Sequence, residues 1–156
     1  MHSSRRWIGS IMLNSDVMQT LFEDAALVAP QEMCGLMFHD DVISSICRGD
    51  SLHNGQYLRC TNVDQNPERG FLLHHNEYQE AVKHMGQEPW ALVHSHPTTG
   101  AGASPKDCGL MDALEVANSS MVMIIVGLNP REIRIFKKEA HVYRCVWHTT
   151  QETVRA

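Results

Sequence analysis

The chain has 156 residues, 43% of them hydrophobic and 20% charged, with a formal net charge of −5. That length suits one domain able to bury about 68–70% of its unfolded surface, and the composition excludes a disordered or fibrous chain. The acidic balance argues against a nucleic-acid or anionic-membrane partner.

Five cysteines (Cys34, Cys47, Cys60, Cys108 and Cys145) form no Cys-x-x-Cys pair. An odd count at these spacings suggests neither a disulfide frame nor a cysteine metal site, and free buried thiols in a reducing cytoplasm are expected. Arg5 and Arg6 precede an apolar stretch too short for a signal-peptide core. The longest apolar run, residues 121–128, is too short to span a bilayer.

In chain order, residues 1–6 read as a loose tail and 7–13 as a first strand. Asn14 or Ser15 caps a helix over 16–28, whose apolar positions recur at helical spacing, and Pro30 ends it. Residues 32–39 and 42–48 read as strands joined by Asp40 and Asp41, with a polar loop over 49–56. Strands over 57–62 and 71–75 follow, separated by a turn at 64–70. Asn76 is expected to cap a helix ending at Met85, with Gly86 as its stop. The segment 91–96 reads as a buried strand, and a helix is expected from Ser104 to about Ala117. Strands over 121–127, 133–138 and 141–148 complete the chain, with turns at Asn129-Pro130 and Glu139-Ala140. Residues 149–156 read as frayed. Hairpins near both ends of the pattern make a purely parallel sheet improbable, so the expected class is an α/β sandwich around a mixed sheet, in one domain spanning 1–156.

The chemistry concentrates in Trp90-Ala91-Leu92-Val93-His94-Ser95-His96-Pro97 and the Ser104-Pro105-Lys106-Asp107 that follows a small-residue loop. Residues two apart on a strand share a face, so His94 and His96 project together at its carboxyl end. Each can offer a nitrogen to one metal ion, and Asp107 can add an anionic third ligand. Three protein ligands would leave a tetrahedral zinc one position for water, with a pKa brought near 7. Each half also has an ordinary explanation. A His-x-His pair alone seldom marks a metal site. Ser104, Pro105 and Asp107 also make a good helix start.

His94-Ser95-His96-Pro97, six residues, then Ser104-x-x-Asp107 resembles the signature of the JAMM (MPN-plus) zinc metalloproteases. The upstream segment Pro30-Gln31-Glu32-Met33-Cys34-Gly35 resembles the one that carries that family's glutamate. The resemblance runs from about residue 13 to 147, and no element of the metal motif is missing. It implies a deaminase-like sandwich, a curved mixed sheet flanked by helices. It also implies zinc on His94, His96 and Asp107, Glu32 as the base, and Ser104 as a donor to the oxyanion. From spacing alone Glu32 could equally be a solvated glutamate at a strand end. Ser104 could cap the helix and donate at once, since a cap only accepts. Gly109 in the first turns of the helix has no evident purpose.

The implied reaction is hydrolysis of a peptide or isopeptide bond. The chain is close to a bare domain and resembles the compact prokaryotic and phage members, some of which cut ubiquitin-like sulfur-carrier proteins after a C-terminal Gly-Gly. Asn62 and Asn66-Pro67-x-x-x-Phe71 are reminiscent of both groups. Only residues 49–56 and 98–103 look like possible substrate loops. The alternatives are an endopeptidase for phage-tail or cell-wall peptides and a non-catalytic MPN-type scaffold. A zinc deaminase is disfavoured, because His-x-Glu and Pro-Cys-x-x-Cys are absent. The oligomeric state is not legible in the sequence.

Overall fold

A computed structural model of the chain describes residues 13–39, 55–117 and 120–150. Helix α1 (Ser15–Val28) leads to strand β1 (Cys34–Phe38), strand β2 (Gln56–Cys60) and helix α2 (His75–Met85). Strand β3 (Ala91–His96), helix α3 (Pro105–Val116) and strands β4 (Val122–Leu128), β5 (Arg131–Glu139) and β6 (Val142–Thr150) follow. The strands form one mixed sheet in the order β2-β1-β3-β4-β5-β6. Among the described strands only β3 and β4 run parallel; the other neighbours pair antiparallel. Parallel neighbours need a crossover. Here α3 supplies it, so the first turn of α3 lies just past the carboxyl end of β3.

The sheet is covered on both faces. Met18, Leu21, Phe22 and Ala25 of α1 recur every three or four residues and pack with Met37, Val93, Ile124 and Ile135 on one face. Ala81 of α2 and Met111 of α3 pack with Leu36, Leu92, Met123 and Ile125 on the other. Because β3 and β4 bury both faces, their sequences read as nearly unbroken apolar runs. Alternation along β3 sends Val93 toward α1, and Leu92 toward α2 and α3. His94 and His96 therefore face α2 and α3 as well.

The mixed α/β sandwich expected from the sequence is present, with some boundaries moved. The predicted strands over 7–13 and 42–48 lie outside the described residues, apart from Leu13, which is buried. The predicted strand over 71–75 shrinks to a single bridge between Asn62 and Leu73. The Asn62 side chain accounts for this, because its oxygen takes the Leu72 N–H at 3.2 Å and diverts it from a ladder. Helix α2 starts two residues earlier than predicted: His74, not Asn76, is its cap, and His74 Nδ1 accepts from the Asn76 N–H at 3.1 Å. Thr149 and Thr150 are not frayed, since they pair with Ile133 and Glu132 on β5. Of the described cysteines, Cys34 and Cys60 are buried as expected, while Cys108 is partly exposed and Cys145 fully so; all four are free. The turn between β5 and β6 holds Ala140 at φ 47° and His141 at φ 72°, the left-handed conformations of a two-residue hairpin turn.

Gly109 lies in α3, and a Cβ built there would meet nothing within 4 Å. Neither packing nor backbone conformation requires glycine. Gly109→Ala should therefore raise the unfolding free energy by about 0.5–1 kcal/mol through the usual helical preference of alanine, read from urea denaturation midpoints at unchanged m-value.

Candidate metal centre

The site is assembled where β3 hands over to α3. His94 is fully buried, and its ring stacks on Phe71 with centroids 4.5 Å apart and planes 21° apart. His96, one strand repeat later, sets its ring edge-on to His94 at 5.2 Å. Pro97 ends the strand, and the chain turns through residues 98–103 into the cap of α3. Ser104 and Asp107 form a reciprocal capping box: the Asp107 N–H donates to Ser104 Oγ at 3.2 Å, and the Ser104 N–H donates to Asp107 Oδ2 at 2.8 Å. This cap anchors the Asp107 carboxylate against both histidines. Oδ1 lies 2.8 Å from His94 Nε2 and Oδ2 lies 3.2 Å from His96 Nε2.

One donor atom from each of His94, His96 and Asp107 lies within 4.8 Å of the others, as shared ligands of one ion require. Hydrogen bonding supplies a second test of fit. His96 Nδ1 lies 2.9 Å from the Gly100 carbonyl oxygen. A carbonyl can only accept, so Nδ1 carries the hydrogen and the Nε2 lone pair faces Asp107. Two acceptors facing each other at 3.2 Å repel unless a proton or a metal ion stands between them. His94 repeats the problem. Its Nε2 approaches Asp107 closely, but the alignment misses the carboxylate, and neither ring nitrogen has a hydrogen bond although both are buried. Unpaired buried nitrogens are costly, and a divalent cation would satisfy them. The mixed imidazole and carboxylate donor set suits zinc.

Electrostatics follow from this crowding. Burial holds the His94 ring below its ordinary pKa, and the Asp107 carboxylate only partly offsets that. At His96 burial acts in the same direction, but Asp107, the Gly100 carbonyl and Glu32 together outweigh it and raise the pKa. Burial also acts to raise Asp107, yet the two histidines and the Ser104 N–H hold its carboxyl far below the usual range.

Glu32 sits two residues before β1, not on the strand with Cys34 and Leu36 as alternation suggested. Its backbone is clamped instead. The Glu32 N–H donates to the Pro67 carbonyl at 2.7 Å, and the Glu32 carbonyl accepts from Asn62 Nδ2 at 3.0 Å. The same Asn62 amide also donates to Pro67 and Gly70 carbonyls, and its oxygen accepts from the Asp64 and Leu72 N–H groups. One asparagine thereby ties Glu32 to the segment that carries Phe71 onto His94. The sequence singled out Asn62 and Phe71 only through the resemblance, without these roles. Glu32 lines a cleft of about 260 Å³ together with His96, Ser104 and Asp107. A second opening of about 360 Å³ shares Glu32, His96 and Ser104 and is walled by Pro97, Thr98 and Thr99. Of the two candidate substrate loops, residues 98–103 therefore border the cleft; 49–54 lie outside the described residues.

Four of the five candidate site residues, Glu32, His96, Ser104 and Asp107, line one cleft, and the fifth, His94, is buried against Asp107. Residues 14–139 match the family model for prokaryotic homologs of the JAB domain. The solution structure of protein DSY2949 from Desulfitobacterium hafniense is similar at a TM-score of 0.58 and 25% identity, over 85% of this chain and 88% of that one. No curated protein shows significant similarity to the chain.

Burial, offset in part by His96 and reinforced by Asp107, pushes the Glu32 carboxyl from its ordinary 4.5 up to about 7 in the metal-free protein. A folded-state pKa above the unfolded one means that the native state binds the extra proton between these values. Its contribution to stability is therefore lost as pH rises through that window. Glu32→Gln removes this component. The metal-free variant should gain stability relative to the metal-free native chain between pH 4.5 and pH 8, measured by urea denaturation at both pH values. A difference that stays constant with pH would contradict the shifted carboxyl.

Proposed function

The chain belongs to the prokaryotic JAB-domain family, and we propose that it is a zinc-dependent hydrolase of peptide or isopeptide bonds. Its substrate in this reading is a ubiquitin-like or sulfur-carrier protein, cut after a C-terminal Gly-Gly. The observation that carries the metal assignment is the pair of acceptors facing each other, His96 Nε2 and Asp107 Oδ2 at 3.2 Å, beside a buried His94 with no hydrogen bond. His94, His96 and Asp107 would hold the zinc. When bound, zinc supplies Lewis acidity able to bring the pKa of water near 7 and to polarise a carbonyl.

The chain's own groups do the rest. Glu32, in the cleft beside His96 and Ser104, is poised to take the proton of the attacking water and return it to the leaving nitrogen. Ser104 Oγ accepts from the Asp107 N–H, which leaves its own hydrogen free to meet the scissile carbonyl oxygen as negative charge develops there. Asn62 and Pro67 fix the Glu32 backbone, so the base need not be ordered at the moment of reaction. A Gly-Gly tail suits an approach through the opening lined by Glu68, Arg69, Thr98 and Thr99, because glycine brings no side chain. An extended tail gains backbone hydrogen bonds wherever it meets a sheet edge. The setting in this reading is the cytoplasm, which fits four free thiols among the described residues. No described helix is long and apolar enough to cross a membrane.

Two carboxylates separate ligand from base. Glu32→Gln should keep one zinc per chain while kcat on a Gly-Gly fusion falls about 10²–10⁴-fold and KM changes little. Asp107→Asn should lose zinc and activity together, since ligand charge sets affinity. Metal analysis and steady-state kinetics on both variants check this; zinc lost in the first and kept in the second would exchange the two roles. Cleavage of cell-wall peptide in place of the fusion would move the substrate to the endopeptidase alternative.

A further inference from the structure

His96 is held by a peptide group, and that peptide group is held by a buried carboxylate on another strand. In register, His96 of β3 lies beside Gly127 of β4, and Gly127 lies beside Glu132 of β5. Gly127 leaves a gap in this row. A Cβ there would collide with Gly100 and the Ala101 nitrogen, and a Cβ on Gly100 would collide with the Glu132 carboxylate. The peptide unit joining Gly100 to Ala101 fills the gap and uses both ends. Its carbonyl oxygen accepts from His96 Nδ1 at 2.9 Å. Its N–H donates to Glu132 Oε2 at 2.7 Å.

We infer that Glu132 is a positioning residue for the metal centre, acting on His96 through this single peptide unit, an inference that rests on the metal-binding reading above. The groups run in line: carboxylate, amide N–H, carbonyl, imidazole Nδ1–H, and then the Nε2 lone pair aimed at the site. A hydrogen bond to an ionised acceptor is about twice as strong as a neutral one. Polarising the amide from its nitrogen side makes its oxygen a stronger acceptor. That strengthens the bond to Nδ1–H, fixes the tautomer and makes Nε2 a better donor to a cation.

The surroundings of Glu132 keep it charged. Only 7% of the residue is exposed, and burial alone would raise its pKa. The Ala101 N–H, His148 and Arg134 outweigh burial and lower it. Nε2 of His148 lies 3.0 Å from Oε1, and Arg134 lies 3.5 Å from the same oxygen. A neutral residue could cap one N–H at less desolvation cost, whereas an ionised one adds polarisation. The loop is anchored independently by the Leu128 and Asn129 N–H groups on the Thr99 carbonyl, each at 3.1 Å. Changing Glu132 should therefore leave the chain path standing.

Glu132→Gln keeps an acceptor for the Ala101 N–H and removes the charge; Glu132→Ala removes both. Zinc dissociation constants come from chelator competition on the full chain, with thermal unfolding of the metal-free variants as the folding control. The strength of the His96 Nδ1–H bond to Gly100 comes from the imidazole nitrogen shifts of His96 in metal-free ¹⁵N-labelled protein. Glu132→Gln should weaken zinc about tenfold and Glu132→Ala up to about 100-fold, the range found when partners of ligating histidines are removed. In both variants the His96 Nδ1–H signal should shift as its hydrogen bond to the Gly100 carbonyl weakens. Folded variants that bind zinc within twofold of the native chain, with His96 unchanged, would overturn the inference and leave Glu132 a structural anchor. If Glu132→Ala does not fold, Glu132→Gln decides. If the native chain takes no zinc, the metal reading falls by itself, and the His96 shifts in Glu132→Gln still decide this one: no change overturns it.

Discussion

A buried carboxylate set against two imidazole nitrogens is the constraint on which the rest of the site depends. Asp107 sits in the first turn of α3, 2.8 Å from one ring nitrogen and 3.2 Å from the other. Helix geometry alone would place such a residue there as a cap, and it does cap: its Oδ2 accepts the Ser104 N–H. That single bond cannot explain why His94, fully buried, lies against it with both nitrogens unpaired. Buried polar atoms without partners cost more than most single contacts return, so the arrangement makes physical sense with a cation at its centre.

The sheet topology makes this convergence possible. Parallel pairing of β3 and β4 forces a crossover, and a crossover of minimal length brings the start of α3 back over the end of β3. From there the rest is local bookkeeping of hydrogen bonds. On one side, Asn62 collects five backbone partners and holds Glu32 and Phe71 at the cleft. On the other, the absent side chain of Gly127 admits the loop that carries Gly100 to His96 and Ala101 to Glu132. Neither Asn62 nor Glu132 reaches the centre of the site. Each fixes backbone on which a candidate site residue rests.

Much was legible from the chain alone, and for local reasons. Strand alternation placed His94 and His96 on one face, proline marked the end of β3, and Ser104, Pro105 and Asp107 predicted the helix start that the structure contains. Period and turn chemistry located the helices within a few residues. The errors fell where a side chain competed with a ladder or a cap. The strand over 71–75 was lost to the Asn62 oxygen, His74 displaced Asn76 as the cap of α2, and β6 held Thr149 and Thr150, which composition alone marked as tail.

Local pattern, then, determined which elements form and that two histidines and an aspartate could meet. Periodicity, capping and chain breaking act over a few residues, and a sequence displays them directly. Whether Glu32 faces the same cleft as His96, and that Glu132 stands behind the loop, were decided by contacts far apart along the chain, 31 residues for Ala101 and Glu132; which nitrogen of His96 carries its hydrogen was decided by how the folded loop turns the Gly100 carbonyl onto the ring. No local signal encodes them. A glutamate two residues before a strand and another inside an edge-proximal strand look alike in composition. The sheet register sets one in the cleft beside His96 and the other behind the loop that holds His96, because the packing of β1, β3, β4 and β5 fixes their distances and their desolvation together.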